Sequence, residues 1–180
     1  MTELELVIDL HRGQPRQGPG SPADTLRALS LLDLNPETPL RVADIGCGSG
    51  ASTLTLAQHL SGHFTAVDLF SEFLEELEQQ ARQAGLEQRI STVRASMENL
   101  PFEEESFDLI WSEGAIYHLG FRAGVQQWAR YLRPGGYLAV SEITWPSAPL
   151  SSTLFGRRNI LKLTSPRPKF RCWKARVTLL

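Results

Sequence analysis

The chain has 180 residues, 42% hydrophobic and 21% charged, which is enough for one buried core and too apolar for a disordered chain. No apolar run reaches the ~18–20 residues of a membrane span; the acidic start MTELELVIDL does not read as a secretory signal or an Arg-rich transit peptide; and two cysteines, Cys47 and Cys172, make neither a disulfide scaffold nor a zinc site, so a reducing cytoplasm is the expected location. The net charge of −2 averages two unlike parts: residues 1–150 hold all 20 acids with ten arginines and no lysine, whereas residues 151–180 hold five arginines, three lysines and no acid.

In chain order, the first ten residues read as a short helix or ordered arm, and His11–Gly20 as a turn-rich loop with three glycines and two prolines. Ser21-Pro22 opens a helix, with Ser as cap and Pro at the first helical position, and Asn35-Pro36 stops it. From Leu40 a regular rhythm starts. Leu40–Ile45 is a short apolar strand ending in glycine, Ala51–Leu60 a helix and Phe64–Asp68 a second strand. Ser71–Ala84 is a strong helix capped by Ser71, with Phe73, Leu77, Ala81 and Ala84 at helical spacing, a Glu78–Arg82 pair and Gly85 as terminator. Ile90–Ala95 and Phe107–Trp111 are the third and fourth strands. Phe121, Val125, Trp128 and Leu132 mark one helix face, Pro134–Gly136 a tight turn and Tyr137–Ile143 a fifth strand. Such alternation predicts an α/β fold: a doubly wound, mostly parallel sheet of five strands with helices on both faces. The rhythm stops near Trp145-Pro146, and Pro166 and Pro168 break what pattern follows.

The chief chemical signal is Asp44-Ile45-Gly46-Cys47-Gly48-Ser49-Gly50, where a buried strand runs into three alternate glycines and then a helix. Glycine lets backbone approach a ligand, and the helix start presents free N–H groups. Asp44, just ahead of the glycines, disfavours a pyrophosphate and suits a cationic ligand. Asp68 ends the second strand 18 residues beyond Gly50, where an acid can bond both hydroxyls of a ribose. Cys47 reads as a small loop residue. No metal cluster, nucleophile elbow or phosphate-binding GxxxxGK[ST] is present.

DIGCGSG, the strand-end acid in AVDLF, NLPFEEESFDLIWSEGAIYHL and YLRPGGYLAVSE together resemble a class I S-adenosylmethionine-dependent methyltransferase, in family order over roughly residues 16–145. Within that class, RQGPGSP and WSEGAIYHLGF resemble a bacterial subgroup of small methyltransferases. The resemblance implies a Rossmann-like fold and S-adenosyl-L-methionine as cofactor. Asp44, Gly46, Cys47, Gly48 and Gly50 would line the methionine end, Asp68 would bind the ribose and Leu69 would lie against the adenine. Ser96 and Met97 occupy the segment at the adenine edge, with Ser96 where many members carry Asp, and Ser112 and Glu113 lie near the methyl group. From the N-terminal arm, His11, Arg16 and Gln17 could close over the cofactor. His118 is a candidate general base, with Tyr117 and Glu113 as further catalytic candidates.

The expected organisation is an arm over residues 1–20, a methyltransferase domain over 21–149 and a divergent, disorder-prone basic tail over 150–180. The expected reaction moves a methyl group to a small-molecule acceptor by in-line displacement. The rivals are a truncated, inactive methyltransferase-like chain, an NAD(P)-binding oxidoreductase, and a binder of nucleic acid or an anionic surface through Arg157, Arg158, Lys162, Arg167, Lys169, Arg171, Lys174 and Arg176. The oxidoreductase normally shows G-x-G-x-x-G, not the G-x-G-x-G of Gly46–Gly50. Class I members normally carry a final hairpin beside strand five. No such hairpin is legible in this sequence, so the fifth strand is expected to be an open edge through which chains could associate. No membrane partner is expected.

Overall fold

The computed structural model describes residues 9–11, 13–144, 157–164 and 171–174. A seven-stranded sheet runs β3-β2-β1-β4-β5-β6-β7 across its width. Its core strands are β1 (Leu40–Ile45), β2 (Gly62–Asp68), β3 (Ile90–Arg94), β4 (Phe107–Glu113) and β5 (Leu132–Thr144), all parallel. The chain steps outward from β1 to β2 and β3, then returns to place β4 on the other side of β1. That reversal opens a crevice at the carboxyl ends of β1 and β4, where ligands of doubly wound sheets bind.

The period-2 alternation of β1 divides the core. Val42 joins a cluster with Leu56, Phe64, Leu77, Leu109 and Trp111, under α1 (Pro22–Leu29), α2 (Ala51–His59) and α3 (Ser71–Gln83). Ala43 and Ile45 join the opposite cluster with Ile110, Ile116, Val125, Trp128 and Leu138, under α4 (Phe121–Trp128). Both faces are therefore covered, as continuous apolar strands require. Trp128 is fully buried and its indole N–H donates to the Met97 carbonyl at 3.1 Å, so a core side chain fixes a loop at the crevice.

Local signals resolve in several ways. Ser21 caps α1 as expected, its hydroxyl accepting from Asp24 N–H at 3.2 Å with Pro22 in the first helical turn. Ser71 is the first residue of α3 rather than its cap. The cap position is Phe70, whose N–H donates to Asp68 Oδ1 at 3.1 Å, so the aspartate two residues earlier makes the turn. Pro134–Gly136 lies inside β5 rather than between elements: pairing moves from Phe107↔Leu132 to Leu109↔Tyr137, and the surplus residues bulge opposite Asp108.

The final hairpin, expected to be missing, is instead formed by two strands. β6 (Arg157–Thr164) pairs antiparallel with β5 over Tyr137–Thr144, and β7 (Arg171–Lys174) pairs antiparallel with β6. β5 offers a full row of backbone donors and acceptors, and an extended segment of any composition can satisfy them. Pro166 and Pro168 fall in sequence between the two strands and interrupt neither ladder. β5 is thus an internal strand, and the sheet ends at β7. Parts of the arm and tail expectations fall on residues 1–8, 12, 145–156, 165–170 and 175–180, which lie outside the described residues. Among the described residues, no helix is long and apolar enough to cross a membrane.

Candidate functional site

β1, β2 and β4 each carry an acid at or near the carboxyl end: Asp44, Asp68 and Glu113. Between and above them lies a cleft of about 760 Å³, within the usual size of a small-molecule site.

Asp44 is buried behind the glycine loop. Thr53 Oγ1 donates to its Oδ2 at 2.6 Å, while Oδ1 is buried with no hydrogen-bond partner. Burial is the main cause that pushes its pKa up to about 7; the Thr53 bond opposes the shift, and nearby Glu113 adds to it. A carboxyl group left in this state favours a cation on the cleft side of the loop. Asp68 is oriented by two backbone donors, Gly48 N–H at 2.8 Å to Oδ2 and Phe70 N–H at 3.1 Å to Oδ1. Each oxygen keeps capacity to accept from a ligand hydroxyl.

The loop itself is drawn tightly onto the sheet. Gly46 and Cys47 N–H both donate to the Val67 carbonyl, at 2.8 and 3.0 Å. Gly46 has φ +73, and a Cβ there would overlap that of Ala115, so only glycine fits where this loop meets the segment after β4. Gly50 begins α2, packed against Leu77. Burial, with Asp44 and Asp68 nearby, pushes the Cys47 thiol well above its usual value, which makes it an inert small wall residue.

Gly46, Cys47, Gly48, Asp68, Leu69, Ser96, Met97, Glu113, Tyr117, His118, His11, Arg16 and Gln17 all line the cleft, so most of the residues singled out in the sequence meet there. Asp44, Gly50 and Ser112 do not. Asp44 and Gly50 stand behind the wall. Ser112 is buried, and its hydroxyl donates to the Ile45 carbonyl at 2.8 Å, bridging β1 and β4 beyond their last paired residues, Asp44↔Trp111. Ser96 Oγ accepts from Glu98 N–H at 3.2 Å, so it shapes its own turn.

On the β4 wall, near enough to Asp44 to help raise its pKa, Glu113 is fully engaged. Oε1 accepts from Thr25 Oγ1 at 2.7 Å and from the Trp111 indole at 2.9 Å, and Oε2 pairs with Arg16. Gln17 lies over Gly48: Ser49 N–H donates to its Oε1 at 2.9 Å, and its Nε2 donates to Ser49 Oγ at 2.7 Å. Tyr117 and His118 are exposed at the mouth, their ring centroids 4.0 Å apart. His118 is thereby accessible from solvent.

Sequence reasoning missed several contributors. Phe73, placed by its helical spacing on the apolar face of α3, is buried and also on the cleft wall, because the first turn of α3 faces the crevice. Glu98 brings a carboxylate to the wall two residues beyond Ser96. Thr53, the partner of Asp44, could have been found from its place in the first turn of the helix after the glycine loop, nine residues on. Thr25 could not, because its contact with Glu113 spans 88 residues.

The methyltransferase domain family matches residues 42–136. The chain is 36% identical over 104 residues to a methyltransferase of Streptomyces halstedii, GfsG, covering 57% of this chain and 37% of that protein. It is 33% identical over 130 residues to a demethylmenaquinone methyltransferase of Corynebacterium glutamicum, covering 72% of this chain and 52% of that one. The chain thus spans about half or less of the length of these relatives. A candidate S-adenosyl-L-methionine-dependent methyltransferase of Methanococcus maripaludis, solved as a crystal structure, superposes with a TM-score of 0.59 at 25% identity over 66% of this chain and 54% of that one. Another structure of this fold holds the cofactor. The glycine loop between two strand-end acids, the crevice at the sheet's switch point and the family match over residues 42–136 agree: the chain belongs to the class I S-adenosyl-L-methionine-dependent methyltransferases.

Proposed function

We propose that this chain transfers a methyl group from S-adenosyl-L-methionine to a small-molecule acceptor that enters at the Tyr117–His118 mouth. The observation that carries the reading is the pair of acids flanking the glycine loop. Asp44 has an unpartnered buried oxygen, and Asp68 is held open to hydroxyl donors. These features fit the cofactor's cationic methionine end and its ribose. The named small-molecule acceptor of the Corynebacterium relative supports the choice of acceptor class. In the same reading the chain works in a reducing cytoplasm, without a membrane partner, and nucleic-acid binding through the basic tail is secondary.

When bound, the cofactor supplies a methyl group activated on a sulfonium. The protein's task is then mainly to position, worth up to roughly 7–11 kcal/mol for well-aligned partners. Asp68 would hold the ribose, Leu69, Phe70 and Met97 the adenine side, and the Gly46–Gly48 backbone the methionine side. His118 accepts the proton of an acceptor nucleophile that needs to lose one, and passes it to solvent from its exposed position. Glu113, saturated by three donors, orients the arm rather than moving a proton.

Titration calorimetry tests the reading. Wild type should bind S-adenosylmethionine one to one with no response to NAD, and Asp68→Ala should weaken binding about 10–100-fold through lost charge-assisted bonds. Absence of S-adenosylmethionine binding alongside salt-sensitive nucleic-acid binding overturns it.

A further inference from the structure

Residues 13–20 cross the cleft without regular secondary structure between two glycines of positive φ, Gly13 at +70° and Gly20 at +127°. Gly20 directly precedes the cap of α1, a helix anchored by the buried Thr25 and Ala28. The segment therefore has a pivot at each end and a rigid element at one of them.

Two adjacent side chains tie it to two different walls of the cleft, the glycine loop and the end of β4. Gln17 bonds Ser49 on the glycine loop, at the methionine end. Arg16 pairs with Glu113, just ahead of the segment that carries Tyr117 and His118, with side-chain exposures of only 13% and 10%. The Arg16 guanidinium also reaches Thr25 Oγ1 at 3.4 Å, while its Nη1 is buried without a partner. A buried donor left unmade weakens the closed arrangement. The closure is thus polar, partly unsatisfied and hinged, features of an element that opens rather than of core packing.

We propose that Arg16 is a positioning residue: its pairing with Glu113 latches residues 13–20 over the cleft and sets the rate of cofactor exchange. Because Arg16 and Gln17 are neighbours, opening at Glu113 also frees the contact on the glycine loop. One event then uncovers both walls, so the segment opens and closes as a unit. This inference rests on the cofactor reading above.

The test uses the full chain. Release of S-adenosylmethionine is followed by stopped flow after a chase with excess S-adenosylhomocysteine, through tryptophan fluorescence, to which Trp111 beside Glu113 contributes. Arg16→Met and Glu113→Gln should each speed release by about tenfold or more, from loss of a charge-assisted pair. The double variant should release no faster than the faster single one, because both break one latch. A second measurement needs no cofactor. Trypsin cleavage after Arg16, read by mass spectrometry on wild type and Glu113→Gln, should quicken several-fold in the variant. If wild type does not bind S-adenosylmethionine, the cofactor reading fails, and the trypsin comparison still decides the latch. Should Glu113→Gln not fold, Thr25→Val removes only one donor to Glu113 and should shift both readouts in the same direction. Unchanged release and unchanged cleavage in a variant that melts like wild type overturn the proposal.

Discussion

At the Asp44–Asp68 end of the cleft, the decisive bonds are short in sequence. Thr53 reaches Asp44 from nine residues away, Phe70 reaches Asp68 from two, and Gly48 reaches Asp68 from 20. Around Glu113 they are long: Arg16 and Thr25 reach it across 97 and 88 residues. The first end is mostly backbone and buried acid, rigid because it is made from strand ends and a helix start. The second is built from side chains brought in by a separate segment, with Tyr117 and His118 left in solvent. One half of the site is thus a property of the sheet, and the other depends on where a hinged segment lies, a segment that also reaches the first half through Gln17 on Ser49. A fold that keeps its cofactor half constant can change acceptor by altering only the second half.

Substitutions on either side can break or sharpen this division. The largest effect is expected from His118→Ala. An acceptor that must lose a proton would react about 10²–10⁴-fold more slowly, with cofactor affinity unchanged by calorimetry. A comparable fall in cofactor affinity would show that the two ends are not separable. Gly46→Val comes next, because Gly46 is where the loop meets Ala115. Left-handed strain of order 1–2 kcal/mol and overpacking of about 1–3 kcal/mol should lower the melting temperature and weaken cofactor binding and turnover together. Selective loss of turnover alone would contradict the packing seen at this contact.

The smallest effect is a pH dependence belonging to the methionine end. Burial raises Asp44 from 3.8 to about 7 in the folded protein, so the folded state binds its proton more tightly than the unfolded chain. The resulting stabilisation is whole below about pH 4, declines as pH rises and is gone above about 7. A cation bound on the cleft side of the loop favours the carboxylate, so cofactor affinity should rise by up to about tenfold per pH unit between about pH 5 and 7, then flatten. Calorimetry in buffers of different ionisation enthalpy would count the proton released. Asp44→Asn should abolish the slope, whereas His118→Ala should leave it in place.

Much of the fold is legible in the sequence because its signals are local. Strand β1 with its glycines, the capped helix at Ser21-Pro22 and the acid ending β2 each declare themselves within a few residues. The departures have physical causes of the same scale. Ser71 has the composition of a cap, but the helix begins one residue sooner, with Phe70 at the cap position and its N–H turned onto Asp68. Pro134-Gly135-Gly136 has turn composition, yet its residues bulge within β5 because strand pairing continues on either side. The tail carries no clear alternation, and its pairing with β5 depends on the backbone of a partner strand rather than on a pattern of its own.

The sequence alone determined the alternating α/β order, the glycine loop, the two strand-end acids and the contrast between an acidic body and a basic tail. These follow from composition and spacing, which act through neighbouring residues. Only the tertiary structure decided that Asp44 keeps an unpartnered buried oxygen, that Ser112 bridges strands instead of facing the cleft, and that Arg16 closes onto Glu113. Each of these depends on which groups burial deprives of water and which distant partner then stands within hydrogen-bond reach, and a linear pattern does not encode that distance.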